Sequence, residues 1–283
     1  MTESAMKTSR QKNPDYATFA GMAVASACIV AGIVLESGSI ADLAQITAGL
    51  IVVGGTLGAV LISTTARRLL TALKRGRNAF FAEHWDNHAV TEQLLRFAWI
   101  ARRGGMVAIE DHAAAIEDSF TRRAWLMAVD GVESNEIRRQ LETDIRMTQE
   151  RAEADAEVFE LAGGYAPTIG IIGAVLGLIR VMGHLANVGD MGKGIAIAFV
   201  STLYGVGLAN LLLLPLAAKI RSRLSDESQR RELIMESVLI VAQGLSPNLI
   251  RHQMENFIEG ARPTAATPRA HELVRAAASG VEA

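Results

Sequence analysis

The chain's long apolar runs hold no Asp, Glu, Lys or His near their middles; Asp15, Glu36, Asp42 and Lys193 all sit close to run ends. A protein that moves protons on its own normally keeps an ionisable side chain within the membrane. A chain built this way that conducts ions must take its ion-binding carboxylate from another chain. The single cysteine, Cys28, lies inside an apolar run, so an internal disulfide is excluded. His84 and His88 stand at i, i+4, but no cysteine joins them, and no metal site is expected. There is no P-loop and no G-x-S-x-G. No Ser/His or Asp pair lies within the runs to serve an intramembrane protease. The chain is therefore read as a non-enzyme with no catalytic residue and no cofactor. A formal net charge of −2 gives no reason to expect a nucleic-acid partner. No internal repeat is evident, which argues against an inverted-repeat transporter.

What is present is apolar length. The chain has 283 residues, 50% of them hydrophobic, and a mean hydropathy of +0.23. This fits a membrane protein with a sizeable water-exposed part. Gly192 to Ala218 is the longest run, with no charge between Lys193 and Lys219, long enough to cross a hydrocarbon core of ~30 Å as a helix. Tyr16–Leu35 is the first spanning candidate, opened by the start signal Asn13-Pro14-Asp15. It is too long for a signal-peptide core and is read as a retained anchor. A short acidic connection leads to a second span from about Leu43 to Thr65. A third begins near Tyr165-Ala166-Pro167 and ends near Leu185.

The basic residues orient this pattern. Arg67, Arg68, Lys74, Arg75 and Arg77 follow the second span, and Lys219, Arg221, Arg223, Arg230 and Arg231 follow the fourth. By the positive-inside rule these sides, and both termini, are cytoplasmic. The fold class expected is an all-α integral membrane protein: four transmembrane helices with a large helical cytoplasmic insertion between helices 2 and 3. Residues 1–14 form a cytoplasmic N-terminus, 15–65 a transmembrane hairpin and 66–163 the cytoplasmic helical domain. Residues 164–218 carry transmembrane helices 3 and 4, 219–261 a cytoplasmic C-terminal helix, and 262–283 a disordered tail. Within the insertion, Glu92–Ile100 and Ala124–Glu160 are the clearest helical stretches, the latter running on towards the third span. Ser222 to Glu259 reads as an amphipathic helix broken near Ser246-Pro247.

Polar and small residues punctuate the spans. Ser201, Thr202, Tyr204 and Asn210 interrupt the fourth, and Pro215 sits near its end. Each hydroxyl can bond its own i−4 carbonyl, which would make this an ordinary spanning helix. Alternatively, one face lies on a polar pathway. Gly54 and Gly58, and again Gly173 and Gly177, have the i, i+4 spacing that lets helices approach closely. Arg180 lies near a run end, where its stem can snorkel to the interface. In Ile100 to Asp111, cations and carboxylates flank a Gly-Gly turn. That stretch suits either a solvated helix-turn-helix or a docking surface whose charge sets orientation and encounter rate.

Together these residues resemble the MotA/PomA family of flagellar stator proteins. The fourth span carries the signature Ala198-Phe-Val-Ser-Thr202-Leu-Tyr-Gly205-Val-Gly207, then Pro215. The third carries Ala166-Pro167-Thr-Ile-Gly170-Ile-Ile-Gly173-x-x-x-Gly177-Leu. Gly38-Ser39, Ile51-Val-Val-Gly-Gly-Thr56, Ala101-Arg-Arg-Gly-Gly and Ile109-Glu110 also match, so the likeness covers roughly residues 14 to 259. The resemblance implies an A subunit of the flagellar stator, coupling inward ion flow to torque. It implies a homo-oligomeric ring, a pentamer, around a dimer of a MotB-type B subunit. That partner has one spanning helix with an aspartate and a peptidoglycan-binding domain. It further implies contact with the rotor protein FliG and location in the bacterial inner membrane.

Carried over by residue, the resemblance places Pro167 and Pro215 beside the ion path and Thr202 opposite the partner's aspartate, with Ala174 and Tyr204 in the same group. Arg102, Arg103, Glu110 and Asp111 match rotor-contact positions. Sodium-driven members resemble G-T-x-x-G-L in the third span, where this chain has Gly173-Ala174-Val-Leu-Gly-Leu178. The missing hydroxyl removes a possible sodium ligand, which favours H+ over Na+. The alternative is an ExbB/TolQ-like energiser of another membrane machine, disfavoured by the Tyr16–Thr65 hairpin. A non-conducting scaffold would not require such elaborate third and fourth spans.

Overall fold

In the computed structural model, residues 12–35, 43–83, 87–183 and 188–244 are described. Gly38-Ser39, His84, the break at Ser246-Pro247 and the tail 262–283 lie outside the described residues. The architecture is helical, with one short antiparallel strand pair. Strand β1 (Lys12–Pro14) pairs with β2 (Phe81–Glu83), Asn13 opposite Ala82. The helices are α1 (Tyr16–Leu35), α2 (Ile46–Ser63), α3 (Ala66–Ala79) and α4 (Asn87–Gly104). A 3-10 turn (Met106–Ile109) leads to α5 (Glu110–Ala114), α6 (Ser119–Val129) and the 50-residue α7 (Ser134–Gly183). Helix α8 (Val188–Gly207) passes through a π turn (Leu208–Leu213) into α9 (Leu214–Ala242).

Among the described residues, three helical stretches are long and apolar enough to cross a membrane: α2, α7 and the stretch Met191–Ala242. Helix α1 is apolar throughout its 20 residues, with Thr18–Gly32 as a shorter apolar helix.

The chain divides into two compact units. One holds Ser9–His84 with Thr143–Gln229; the other holds Trp85–Glu142 with the chain from Arg230. Residue 66, the expected start of the cytoplasmic helical domain, lies inside the first of these units. Helix α3 packs with the apolar helices because its small face fits under α7 and α9. Ala72 and Ala79 join Val60, Phe159, Ala162, Ala217 and Ile220 in one buried cluster. A Cβ on Gly76 would lie 2.7 Å from the Phe159 ring. Charges bind the same unit together. Arg221 donates to Glu153 at 2.7 Å and holds Glu160 through both terminal nitrogens. Asp15, just ahead of α1, is clasped by Lys219 and by Arg223 at 3.4 Å, and Arg223 also donates to the Asn78 carbonyl at 2.9 Å.

The second unit has a separate core. Phe97 meets Trp125 edge-on, centroids 5.0 Å apart, with Phe120, Ile109, Ile137, Ile234 and Leu239 buried around them. Arg138 forks onto Glu236 at 2.5 and 2.9 Å, a bidentate pair between α7 and α9. Asp118 caps α6, accepting from the Thr121 amide at 3.0 Å.

The expected helix Ala124–Glu160 is two helices. Its break is at Gly131, whose φ of 73° closes α6: the Gly131 and Val132 amides reach back to the Ala128 and Met127 carbonyls. Such a left-handed residue ends a helix whatever the apolar period around it. The apolar run that begins near Tyr165-Ala166-Pro167 continues the charged helix without a break, both lying within α7.

Candidate functional site

The third and fourth apolar stretches meet along a seam of small residues. On α7 the seam is Ala166, Gly170, Gly173 and Gly177; on α8 it is Gly194, Ala198, Ser201 and Gly205. A Cβ built on Gly205 would lie 2.5 Å from the Ala166 carbonyl oxygen, and one on Gly170 would lie 2.8 Å from the Ser201 carbonyl oxygen. One on Gly177 would meet the Ala198 amide nitrogen and the Gly194 carbonyl oxygen, each at 2.7 Å. Backbone touches backbone here, and only hydrogen in place of a side chain permits it. A Cβ on Gly173 would lie 2.7 Å from the Ser201 side chain.

Gly54 and Gly58 do not behave this way. Among the described residues, nothing outside the local helix comes within 4 Å of a Cβ at either position; the close approach on α2 falls at Gly55, where a Cβ would lie 2.7 Å from Ile169.

Pro167 has no N–H, so the Gly163 carbonyl loses its in-helix donor. Gly163 packs against Leu214, the residue before Pro215: a Cβ there would sit 2.7 Å from Leu214 Cδ2. Pro167 itself lies a turn further along α7, where its neighbour Ala166 meets Gly205, so the two prolines stand at different levels of the antiparallel pair. Pro215 also explains the π turn preceding it. The Leu214 amide bonds the Ala209 carbonyl, five residues back, as the ladder shifts to accommodate the ring. Ala174 is half-buried on α7, one residue past the seam glycine Gly173.

The adjacent hydroxyls of α8 differ. Thr202, half-buried, donates to the Ala198 carbonyl at 3.3 Å, which leaves its lone pairs as acceptors. Ser201 is fully buried, and its hydroxyl has no hydrogen-bond partner among the described residues. A buried unsatisfied hydroxyl costs about 1–3 kcal/mol. Of the two readings left open, self-satisfaction describes Thr202 and not Ser201. The Tyr204 hydroxyl donates to the Leu43 carbonyl and its ring lies beside Gly49. It ties α8 to α2, because three residues on from Ser201 the side chain points to a different neighbour.

The charged surface lies in the other unit. Arg102 and Arg103 end α4, Gly105 turns the chain at φ 79°, and Glu110 and Asp111 begin α5. A Cβ on Gly104 would meet Ala108 at 2.8 Å, so both glycines are needed for the turn. Ile109 is fully buried and anchors it from below. All four charged side chains are exposed, and Arg103 lies over the Trp99 ring at 5.9 Å. Cations at a helix C-terminus and acids at an N-terminus suit the helix dipoles, so these charges fit the fold as well as a partner.

Away from the spans, the Arg221 guanidinium holds the Glu160 carboxyl below the usual carboxylate range. Arg139 and then Gln140 do the same for Glu136. Reading the sequence missed Ser201 as a site residue, and Gly170, Gly194 and Gly205 as the seam. The signal was present as small residues recurring on one face of each helix. The Asp15 clasp had none, since its partners lie about two hundred residues away.

Residues 112–233 match the MotA/TolQ/ExbB proton channel family, and residues 19–104 match the motility protein A N-terminal family. Motility protein A of Bacillus subtilis is 33% identical over 249 residues, covering 86% of this chain and 91% of that protein. Chemotaxis protein PomA of Vibrio alginolyticus is 32% identical, covering 88% and 97%. The structure of C. jejuni MotAB aligns with a TM-score of 0.82 at 30% identity, over 90% of this chain and 98% of that one. The flagellar MotAB stator complex from Bacillus subtilis aligns at 0.79 with 31% identity, over 85% and 95%. With likeness of this extent in sequence and fold, the chain belongs to the MotA/PomA family of flagellar stator subunits.

Proposed function

We propose that this subunit forms the rotating, ion-conducting ring of a proton-driven stator in the bacterial inner membrane. It crosses the membrane four times with both ends in the cytoplasm. Helix α1 serves as the first span: its 20 residues reach about 30 Å at 1.5 Å per residue. Five copies surround a dimer of a MotB-type, single-span, peptidoglycan-binding B subunit. The partner reading is supported by the two MotAB structures it resembles.

The carrying observation is a polar seam without a carboxylate. Ser201 and Thr202 sit between glycine-packed helices, and the apolar stretch around them holds no acid. Phe199, Ile171 and Val175 beside them are exposed on the single chain, an apolar surface suited to neighbouring helices and lipid. The B-subunit aspartate supplies the ion site. Thr202 faces it, while Pro167, Pro215 and Ala174 shape the path. Each proton crossing supplies ~2.3 kcal/mol per 100 mV. The ring steps around the anchored B dimer, and Arg102, Arg103, Glu110 and Asp111 engage FliG.

Swimming speed tests this, with the chain and its B partner as the only stator. Speed should be independent of sodium at fixed membrane potential and collapse with a protonophore. Speed that tracks sodium would show that Thr202 and partner oxygens suffice for sodium without a hydroxyl at Ala174.

A further inference from the structure

Where α2 gives way to α3, the chain builds a pocket lined by none of the residues placed on the ion path. Its volume is about 620 Å3, and Arg67, Arg68, Arg75 and Arg151 line it. One carboxylate, Asp155, faces these four guanidiniums, and it is already committed. Asp155 is only 7% exposed; its Oδ1 accepts from Thr71 at 3.0 Å and its Oδ2 from Arg75 at 2.7 Å. Arg67, Arg68 and Arg151 have no carboxylate partner among the described residues. The lining therefore carries an unmatched positive charge over a space large enough for a headgroup.

The local sequence deepens the imbalance. The first turn of α3 holds no acid and instead carries two arginines, at the helix end where the dipole is already positive. Thr65 caps that turn, accepting from the Arg68 amide at 3.3 Å, so its own hydroxyl proton remains to donate. Guanidinium forks match phosphate oxygens in pairs. The pocket's height selects the source of the phosphate. Ser63 is both a lining residue and the last residue of α2, an 18-residue stretch with hydropathy 2.1. On the reading that α2 spans the membrane, the pocket opens where headgroups lie, on the side the basic residues mark as cytoplasmic.

We propose that this pocket binds the phosphate of an anionic phospholipid headgroup of the cytoplasmic leaflet. Arg67 and Arg68 hold it from α3 and Arg151 from α7, with Arg75 fixed by Asp155. The bound lipid would brace the α2–α3 corner against the cytoplasmic half of the α7 helix.

The test uses the complex with its B partner in nanodiscs of phosphatidylcholine containing a minor fraction of phosphatidylglycerol. Native mass spectrometry of the released complex counts retained lipids. Wild type should retain phosphatidylglycerol well above its share. Arg67→Gln, Arg68→Gln and Arg151→Gln should each lower that preference about fivefold, the value of one juxtamembrane cation. Lys74→Gln, on the same helix but outside the lining, should change it little. Equal losses in Lys74→Gln and the arginine variants would mean diffuse surface attraction and overturn the pocket. Loss of the lipid to excess inorganic phosphate would reassign the site to the free anion. Incorporation of wild type without selective retention overturns the lipid assignment alone. Failure of wild type to enter nanodiscs overturns the spanning reading of α2, and the assignment with it.

Discussion

A single methyl at Gly205 measures how tightly the seam is closed. A Cβ there would lie 2.5 Å from the Ala166 carbonyl oxygen, 3.1 Å from Gly170 Cα and 3.2 Å from the Ala166 carbonyl carbon. All three neighbours are backbone, so no rotamer change relieves the clash. Reaching ordinary contact requires α7 and α8 to part by roughly 1 Å, and overpacking of this kind costs about 1–3 kcal/mol. Alanine returns about 0.5–1 kcal/mol through helix propensity, so Gly205→Ala should lose a net 1–2 kcal/mol or so. Two residues on, nothing lies within 4 Å of a Cβ at Gly207. There the same change keeps only the propensity gain and should stabilise by about 0.5–1 kcal/mol. The assay is tryptophan-fluorescence melting of the purified complex, at one protein concentration because assembly shifts the midpoint. For chains of this size the expected drop for Gly205→Ala is about 2–6 °C. Midpoints for Gly205→Ala at or above those for Gly207→Ala would refute the contact geometry. The parting should also carry Thr202, three residues away, off its position. Motility should therefore fall further in Gly205→Ala than the stability loss explains.

Four further expectations follow from the site. Pro167→Leu restores a donor to the Gly163 carbonyl and should abolish swimming while membrane fractionation still finds the protein inserted; normal swimming would remove Pro167 from the path. Charge reversal at Arg102 or Glu110 should weaken rotor engagement, scored as motility, with ion conduction of an unplugged complex unchanged; a matching loss of conduction would assign these residues to assembly. Ser201→Ala removes an unsatisfied hydroxyl and should raise the melting temperature, whereas Thr202→Val should lower swimming speed with little change in melting; the reverse pattern would exchange their roles. For Glu160, the folded pKa lies below its unfolded value of ~4.3. Its stabilising effect is present above that value and is lost as pH falls through the lowered folded value. Arg221→Gln should therefore flatten the acid limb of the stability curve, modestly, because the pair is part-exposed, with side-chain exposures of 36% and 42%. An unchanged acid limb would show that Arg221 does not set this titration.

How much was legible depended on the range of the physics. Helix α1 occupies the expected Tyr16–Leu35, because its apolar composition and the signal Asn13-Pro14-Asp15 are local. The passage of the charged helix into the third apolar stretch was also readable, since charge and apolarity alternate at helical spacing up to the join. Gly131 was misjudged because apolar periodicity continues across it while its φ of 73° does not. The bond of Tyr204 to the Leu43 carbonyl and the contact of Gly55 with Ile169 were not legible, because they depend on which helix lies alongside. The clasp of Lys219 and Arg223 on Asp15, and the commitment of Asp155 to Thr71 and Arg75, depend on chain ends that tertiary packing alone brings together.

The hydroxyl geometry bears on why an acid from another chain is needed, and in which state. Thr202 gives its proton to the Ala198 carbonyl and so presents lone pairs outward. A lone pair is a poor neighbour for a carboxylate anion and a good acceptor for a carboxylic acid O–H. In the proposed assembly, a protonated aspartate can therefore rest against Thr202, while its deprotonated form loses that bond and meets repulsion. The same contact that favours one state disfavours the other, so release of the proton changes which ring position is preferred. Ser201 cannot substitute, being fully buried behind the seam. In that assembly, a carboxylate built into this chain would rotate with the ring and keep one fixed distance from Thr202. Placing it on the anchored partner would make the distance change with every step, and that change is what would allow protonation to do work.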